Sequence, residues 1–226
     1  RDQRDRLEDT FIDDALRAAY AAELANHAGL VLAATGGYGR GELYPQSDID
    51  LLLIIEGDDN ATQIAIERFL AAIWNIGLSV SHITRTPEQC LRIGADDLSS
   101  ATAMFESRYL AGDPTLLVST LSALDAQQVW PPALFFAAKR DELRARHIRF
   151  NDTSFNLEPN VKEGPGAIRD LDTLGWMARR CFGVPRIQLL AEQGLASAAD
   201  QTALNQARAA LARLRYRLHR AVQRRE

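Results

Sequence analysis

Cysteine is scarce in this chain. Cys90 and Cys181 are the two cysteines among 226 residues, far apart and without CxxC spacing. That weighs against a disulfide and against a cysteine metal site, and both are expected as buried thiols in a reducing compartment. Positive charge is also in deficit: 26 Lys and Arg face 30 Asp and Glu, for a formal net charge of −4. This weighs against a dedicated nucleic-acid binder, without excluding a local basic face. No apolar run is long enough to span a bilayer and no signal peptide is visible, so a cytoplasmic protein with no membrane partner is expected. Internal repeats and low-complexity tracts are absent, and no strand pattern appears after Gly112.

What is present suits a globular chain. The hydrophobic fraction is 46% and the charged fraction 25%, enough to bury a sizeable core in one large or two small domains. The chain ends with Gln223-Arg224-Arg225-Glu226 inside a helical pattern, so a piece of a longer protein is expected.

Apolar spacing predicts a helix over Leu7 to His27, its inner stripe being Leu7, Phe11, Ala15, Ala18 and Ala22 and packing on a sheet. Strands are expected at Leu30 to Ala34, at Leu51 to Ile55, and at Gly77 to Thr84 with Leu78 and Val80 on one face. A short helix is expected at Gly39 to Leu43, ended by Pro45. Helices follow at Thr62 to Trp74, from Pro87, and from Pro114 through Leu124. The acids of Gly57-Asp58-Asp59-Asn60 read as solvated loop residues. Ser99 to Leu110 is ambiguous between helix and strand. Beyond Pro131 helices are expected at Leu134 to Phe150, Asp170 to Cys181, Pro185 to Gly194, and from Asp200 onward. The last carries a stripe of Leu204, Ala207, Leu211, Leu214, Leu218 and Val222, with the arginines from Arg208 to Arg225 on a solvated face or against a missing domain. A polar loop spans Asn151 to Gly166. The expected fold class is α+β: an α/β-type domain with a small mixed sheet over residues 1–125, then an all-helical domain over residues 126–226.

One stretch stands out, Thr35 to Leu51, TGGYGRGELYPQSDIDL. In a strand side chains alternate, so Asp48 and Asp50 share a face and start about 7 Å apart at the backbone. Two carboxylates so placed converge on a hard cation, which prefers oxygen ligands. Gly36 and Gly37 let backbone approach a ligand closely, and a turn opening a helix aims N–H groups at phosphate. Arg40 and Ser47 are candidate phosphate contacts; their plainer readings are a surface arginine and a turn cap. The whole string matches the signature of the polymerase-β-like nucleotidyltransferase superfamily. Two-metal nucleotidyl transfer is the chemistry that resemblance implies, with Mg²⁺, or Mn²⁺, on Asp48 and Asp50. Many members carry a third acid on the next strand. Here that strand offers Ser79 and Ser81, and Glu106 is the candidate substitute. His82, on the same strand, is a minor candidate.

More residues sharpen the resemblance. Gly36 to Pro45 with Ser47-Asp48-Ile49-Asp50, then Phe105-Glu106-Ser107-Arg108-Tyr109-Leu110-Ala111-Gly112-Asp113, then Asn156 to Lys162 and Gly164 to Asp170, with Trp176 and Ala178-Arg179-Arg180, are similar to the PII uridylyltransferase/uridylyl-removing family. Asn75, Ser81 and Ala167 depart from its pattern. The resemblance implies UTP as donor and a tyrosine hydroxyl of the PII signalling protein as acceptor. It also implies, in full-length members, an HD phosphohydrolase domain and ACT domains, neither of which is expected in this chain; none of His27, His82, His147 and His219 precedes an aspartate, so the removing activity is not expected here. Lys162 and Arg169, in the polar loop and just after it, are expected nucleotide contacts; a purely structural loop is the other reading. The nucleotide is expected between the two domains. A protein or small-molecule adenylyltransferase, a non-catalytic nucleotide-binding module and an interaction scaffold are the rival readings.

Overall fold

The computed structural model describes residues 3–45, 47–57, 59–126, 129–155, 157 and 159–222. Gln46, Asp58, Asn156, Glu158, Arg224 and Arg225, which the motif, loop and arginine-stripe readings include, lie outside them. The chain forms two compact units: residues 1–43 with 47–129, and residues 44–46 with 130–226.

The first unit is built on β1 (Leu30–Ala34), β2 (Ile49–Ile55), β3 (Val80–Arg85) and β4 (Arg108–Gly112), in the order β3-β2-β1-β4. β1 pairs antiparallel with β2 and β4, and β2 runs parallel to β3. A parallel pair needs a crossover, supplied by α3 (Asn60–Asn75). Both faces of the central strands are covered, which is why β1 and β2 read as continuous apolar runs. On one face Leu32, Ile49, Leu51 and Leu53 pack with Leu16 and Tyr20 of α1 (Gln3–Glu23), with Leu24 just past its end, and with Phe69 and Ile73 of α3. On the other, Val31, Ala33, Leu52 and Ile54 meet Cys90 of α4 (Pro87–Asp96), Met104 of α5 (Leu98–Phe105) and Leu116, Leu117 and Leu124 of α6 (Pro114–Ala126). The fold is α+β with a small mixed sheet, and among the described residues no strand follows Gly112.

Several local expectations change. The inner stripe of α1 is Leu16 and Tyr20, continued by Leu24 just past its end, whereas Phe11 is 72% exposed; alanines at the helical period mimic an apolar face without having the area to drive burial. No helix forms over Gly39 to Leu43. The helical turn is α2 (Gly36–Gly39), the glycines themselves. Asp59 is an exposed loop acid as expected, and it also caps α3, accepting from the Thr62 backbone N–H at 2.9 Å and the Thr62 hydroxyl at 2.8 Å. Thr86 and Gln89 form a capping box at the start of α4. Ser99 to Leu110 is both helix and strand, α5 running into β4.

The second unit contains α7 (Pro132–Arg149), α8 (Ile168–Phe182), a 3-10 turn (Ile187–Leu189) where a short helix is expected, and α9 (Ala198–Val222). Its apolar cluster is small: Ala178, Val184, Ile187 and Leu190. The inward residues of α9 include Gln201, Arg215 and His219, all buried, while Leu214 is exposed. Arg208 pairs with Asp172 at 3.0 Å, and the Arg215 guanidinium lies 4.3 Å from the Tyr44 ring centroid. These two arginines are therefore internal, not part of a solvated stripe. Cys90 is buried, Cys181 is partly exposed, and both are free thiols.

Candidate functional site

β1 delivers the chain into the glycine turn, and β2 returns it beside β1 in antiparallel register, Ala34 opposite Leu51. The turn and the first acidic residues of β2 thus meet at one end of the sheet. The Thr35 N–H donates to the Asp50 carbonyl at 2.9 Å. Gly36 has φ +56°, and a Cβ on it would stand 3.0 Å from Asp50 Oδ2. The carboxylate therefore lies directly against Gly36, and a side chain there would be strained and crowded. Gly39 is pressed onto the Ala34 and Glu106 carbonyls, so no Cβ fits.

Asp50 alternates with Leu51, which faces the α1–α3 side, and so shares the face of Leu52 and Ile54. It stands opposite Ser81 in the β2–β3 ladder. Asp48 precedes the strand at the same parity, half-buried, and accepts from Ser79 Oγ at 3.3 Å. Ser47 is half-buried beside it. A pair of carboxylates with a nearby hydroxyl is an all-oxygen donor set, which suits Mg²⁺ or Mn²⁺ and not a soft metal. Among the described residues, no group of three or more His, Cys, Asp or Glu is placed to hold a metal.

Glu106 does fold back to the turn, but its carboxylate meets Arg40: Arg40 Nη1 donates to Glu106 Oε2 at 2.6 Å and Arg40 Nε to Glu42 Oε2 at 3.0 Å. Arg40 Nη2 lies beside Gly37, 3.9 Å from where a Cβ would be. His82 is exposed on β3, with its ring 6.1 Å from that of Trp74.

Beneath the turn is a network no sequence pattern announces. Tyr38, fully buried, donates its hydroxyl to Asp13 Oδ1 at 2.5 Å, and Arg108 donates to both Asp13 oxygens at 2.7 and 3.0 Å. Burial works to raise the Asp13 carboxyl, but the bonds from Arg108 and Tyr38 outweigh it and hold it below the usual carboxylate range. Burial first, then the Asp13 carboxylate, push the Tyr38 hydroxyl far above its ordinary value. The residues of this network are separated by up to 95 positions, and no local signal links them.

In the second unit, Lys162 is half-buried and its N–H donates to Asn160 Oδ1 at 2.9 Å. Arg169, in the first turn of α8, reaches Glu163 Oε1 at 3.2 Å and lies 5.5 Å from the Trp176 ring centroid. The next acid, Asp170, gathers Arg146 at 2.5 Å, His147 at 2.9 Å and the Gly166 N–H at 2.8 Å. These bonds fix the start of α8 and the end of the polar loop to α7.

Comparison with known proteins gives two adjacent family matches. Residues 21–110 match the nucleotidyltransferase domain, and residues 134–226 match GlnD PII-uridylyltransferase. A bifunctional uridylyltransferase/uridylyl-removing enzyme of Xanthomonas campestris pv. campestris (strain 8004) is 48% identical over 211 residues, 92% of this chain and 24% of that protein. The enzyme of the same description from Xanthomonas axonopodis pv. citri (strain 306) is 46% identical over the same shares. That of Stutzerimonas stutzeri (strain A1501) is 43% identical over 223 residues, 97% of this chain and 25% of that protein. The chain thus spans about a quarter of the length of these curated relatives. With a nucleotidyltransferase domain in its first half and a GlnD match in its second, the chain belongs to the family of the bifunctional uridylyltransferase/uridylyl-removing enzymes.

Proposed function

We propose that this chain transfers UMP from UTP to a tyrosine hydroxyl of the PII signalling protein, with residues 1–125 as the nucleotidyltransferase domain and residues 126–226 as the helical domain. The observation that carries the reading is the contact of the Asp50 carboxylate with Gly36. It sets a carboxylate against a glycine turn, which supports reading the acid as a cation ligand and the turn as a phosphate seat. Asp48 and Asp50 would hold Mg²⁺ or Mn²⁺, which when bound supplies charge neutralisation at the phosphates and a more acidic acceptor hydroxyl.

The chain's own groups have separate tasks. The turn's N–H groups, with Gly36 and Gly37 leaving room, seat the triphosphate. Arg40 and Ser47 orient its oxygens. Lys162 and Arg169 are proposed as further nucleotide contacts. The acceptor oxygen attacks the α-phosphorus, the bond from that phosphorus to the bridging oxygen breaks, and pyrophosphate leaves with that oxygen; the hydroxyl proton passes to solvent. Cytoplasmic location fits this role, and no helix among the described residues is long and apolar enough to cross a membrane.

A second reading, a module that holds nucleotide without turnover, draws on Glu106, the candidate third acid, being engaged by Arg40. Transfer of label from α-labelled UTP to purified PII separates the two. Labelled PII with the unaltered chain and none with Asp48→Asn supports transfer. UTP binding without label supports the module, and label from ATP in preference to UTP supports an adenylyltransferase.

A further inference from the structure

The topology places one more acid at the turn. β4 pairs with β1 so that Arg108 stands opposite Ala34, the last residue before the turn. Glu106, two residues earlier, therefore projects past the end of β1 and over α2. Its backbone is fixed there by closing α5, its N–H donating to the Ala103 carbonyl at 3.2 Å and the next N–H, of Ser107, to the Met104 carbonyl at 3.0 Å. Its carbonyl abuts Gly39. Its side chain is only 6% exposed, and the carboxylate is directed at Arg40.

A buried carboxylate at 2.6 Å from a guanidinium is a charge-assisted bond that fixes the plane of the arginine. Glu42 takes the Nε edge from the other side. With both positions held, rotation about the last torsion of Arg40 is blocked, and Nη2 is kept beside Gly37.

We propose that Glu106 is a positioning residue: it presents Arg40 to the phosphate chain of a nucleoside triphosphate rather than serving as a third metal carboxylate. This rests on the nucleotide reading of the site. It differs from a metal-ligand role in what it governs. A ligand's loss lowers turnover, whereas loss of a positioned phosphate contact raises the KM for the nucleotide with little change in kcat.

The test is a double-mutant cycle on UTP binding by the full chain with Mg²⁺, read by calorimetry. Glu106→Gln and Arg40→Lys each weaken UTP binding on the order of tenfold or more, as a misplaced contact does. UMP, which lacks the β- and γ-phosphates, binds all variants alike. The combined variant is no weaker than the worse single one, because both remove the same contact. Should Glu106→Gln fail to fold, Glu106→Asp, which keeps the charge but withdraws it by one methylene, takes its place in the cycle. Unchanged UTP affinity in the Glu106 variant, or losses that multiply in the combined variant, overturn the positioning role. A collapse of kcat at constant KM for UTP points instead to a metal ligand. If the unaltered chain binds no UTP, the nucleotide reading itself fails, and this proposal falls with it.

Discussion

The two units solve burial differently. In the first, fully buried leucines and isoleucines of β1 and β2 meet helices on both faces, and the buried charge gathers at the turn end of the sheet. In the second, the apolar cluster is small, and the inward positions include Lys139, Arg146, Asp172, Arg215 and His219. Lys139 is 1% exposed, with Nζ 4.6 Å from the Trp176 ring centroid and 2.9 Å from Glu142. The first unit is thus held largely by area removed from water, which is non-directional. The second relies on pairs that stabilise only when both members are present.

The largest effect expected from this contrast is on activity. Asp50→Asn removes one carboxylate charge while leaving the sheet's apolar core untouched. Transfer to PII falls by about a thousandfold, as for loss of a charged group acting on the transition state, while the thermal midpoint stays near that of the unaltered chain.

Stability comes next. Asp172→Ala leaves Arg208 facing a buried void, at a cost of about 3–5 kcal/mol, and Leu53→Ala in the first unit costs about 2–5 kcal/mol. Asp172→Leu together with Arg208→Met restores most of the first loss, since apolar groups can replace a buried pair. No polar replacement of Leu53 does the same. Urea unfolding measures all three variants. If the apolar double variant is no better than Asp172→Ala alone, the contrast between the units fails.

A smaller effect separates the units by pH. Burial, then Arg215 and Lys162, lower the pKa of His219. The unfolded chain therefore binds a proton first, so the stability His219 gives is complete above about pH 6.5 and declines as pH falls below it. Asp13 is also lowered, but its contribution is complete above about pH 3.9 and is lost only in stronger acid. Amide exchange should show α9 loosening at mildly acidic pH before β4 and α1 do, and simultaneous loosening would contradict this. Smallest of all, Asp59→Ala removes the α3 cap and lowers the thermal unfolding midpoint slightly.

The same contrast sets what was legible beforehand. β1, the two-aspartate entry to β2, α3 and α7 follow from apolar runs and periodicity, and their positions agree with the sequence to within a few residues. The phases of α1 and α9 do not. Alanine counts as apolar in a pattern but brings little area, and Arg208, Arg215 and His219 are drawn inward by Asp172 and Tyr44, partners that lie far away in the sequence. At the candidate site, the closeness of Gly36 to Asp50 follows from the spacing, because an antiparallel return must bring them together. The destination of Glu106 does not, since it depends on β4 lying next to β1 rather than β3.

The central claim, that Asp48 and Asp50 bind a divalent cation beside a nucleotide-binding turn, is tested most directly by Mn²⁺ paramagnetic resonance with the full chain and UTP. The account predicts protein-bound Mn²⁺ whose signal strengthens with UTP and disappears in the combined Asp48→Asn and Asp50→Asn variant. Equal Mn²⁺ binding by the unaltered chain and that variant would contradict it.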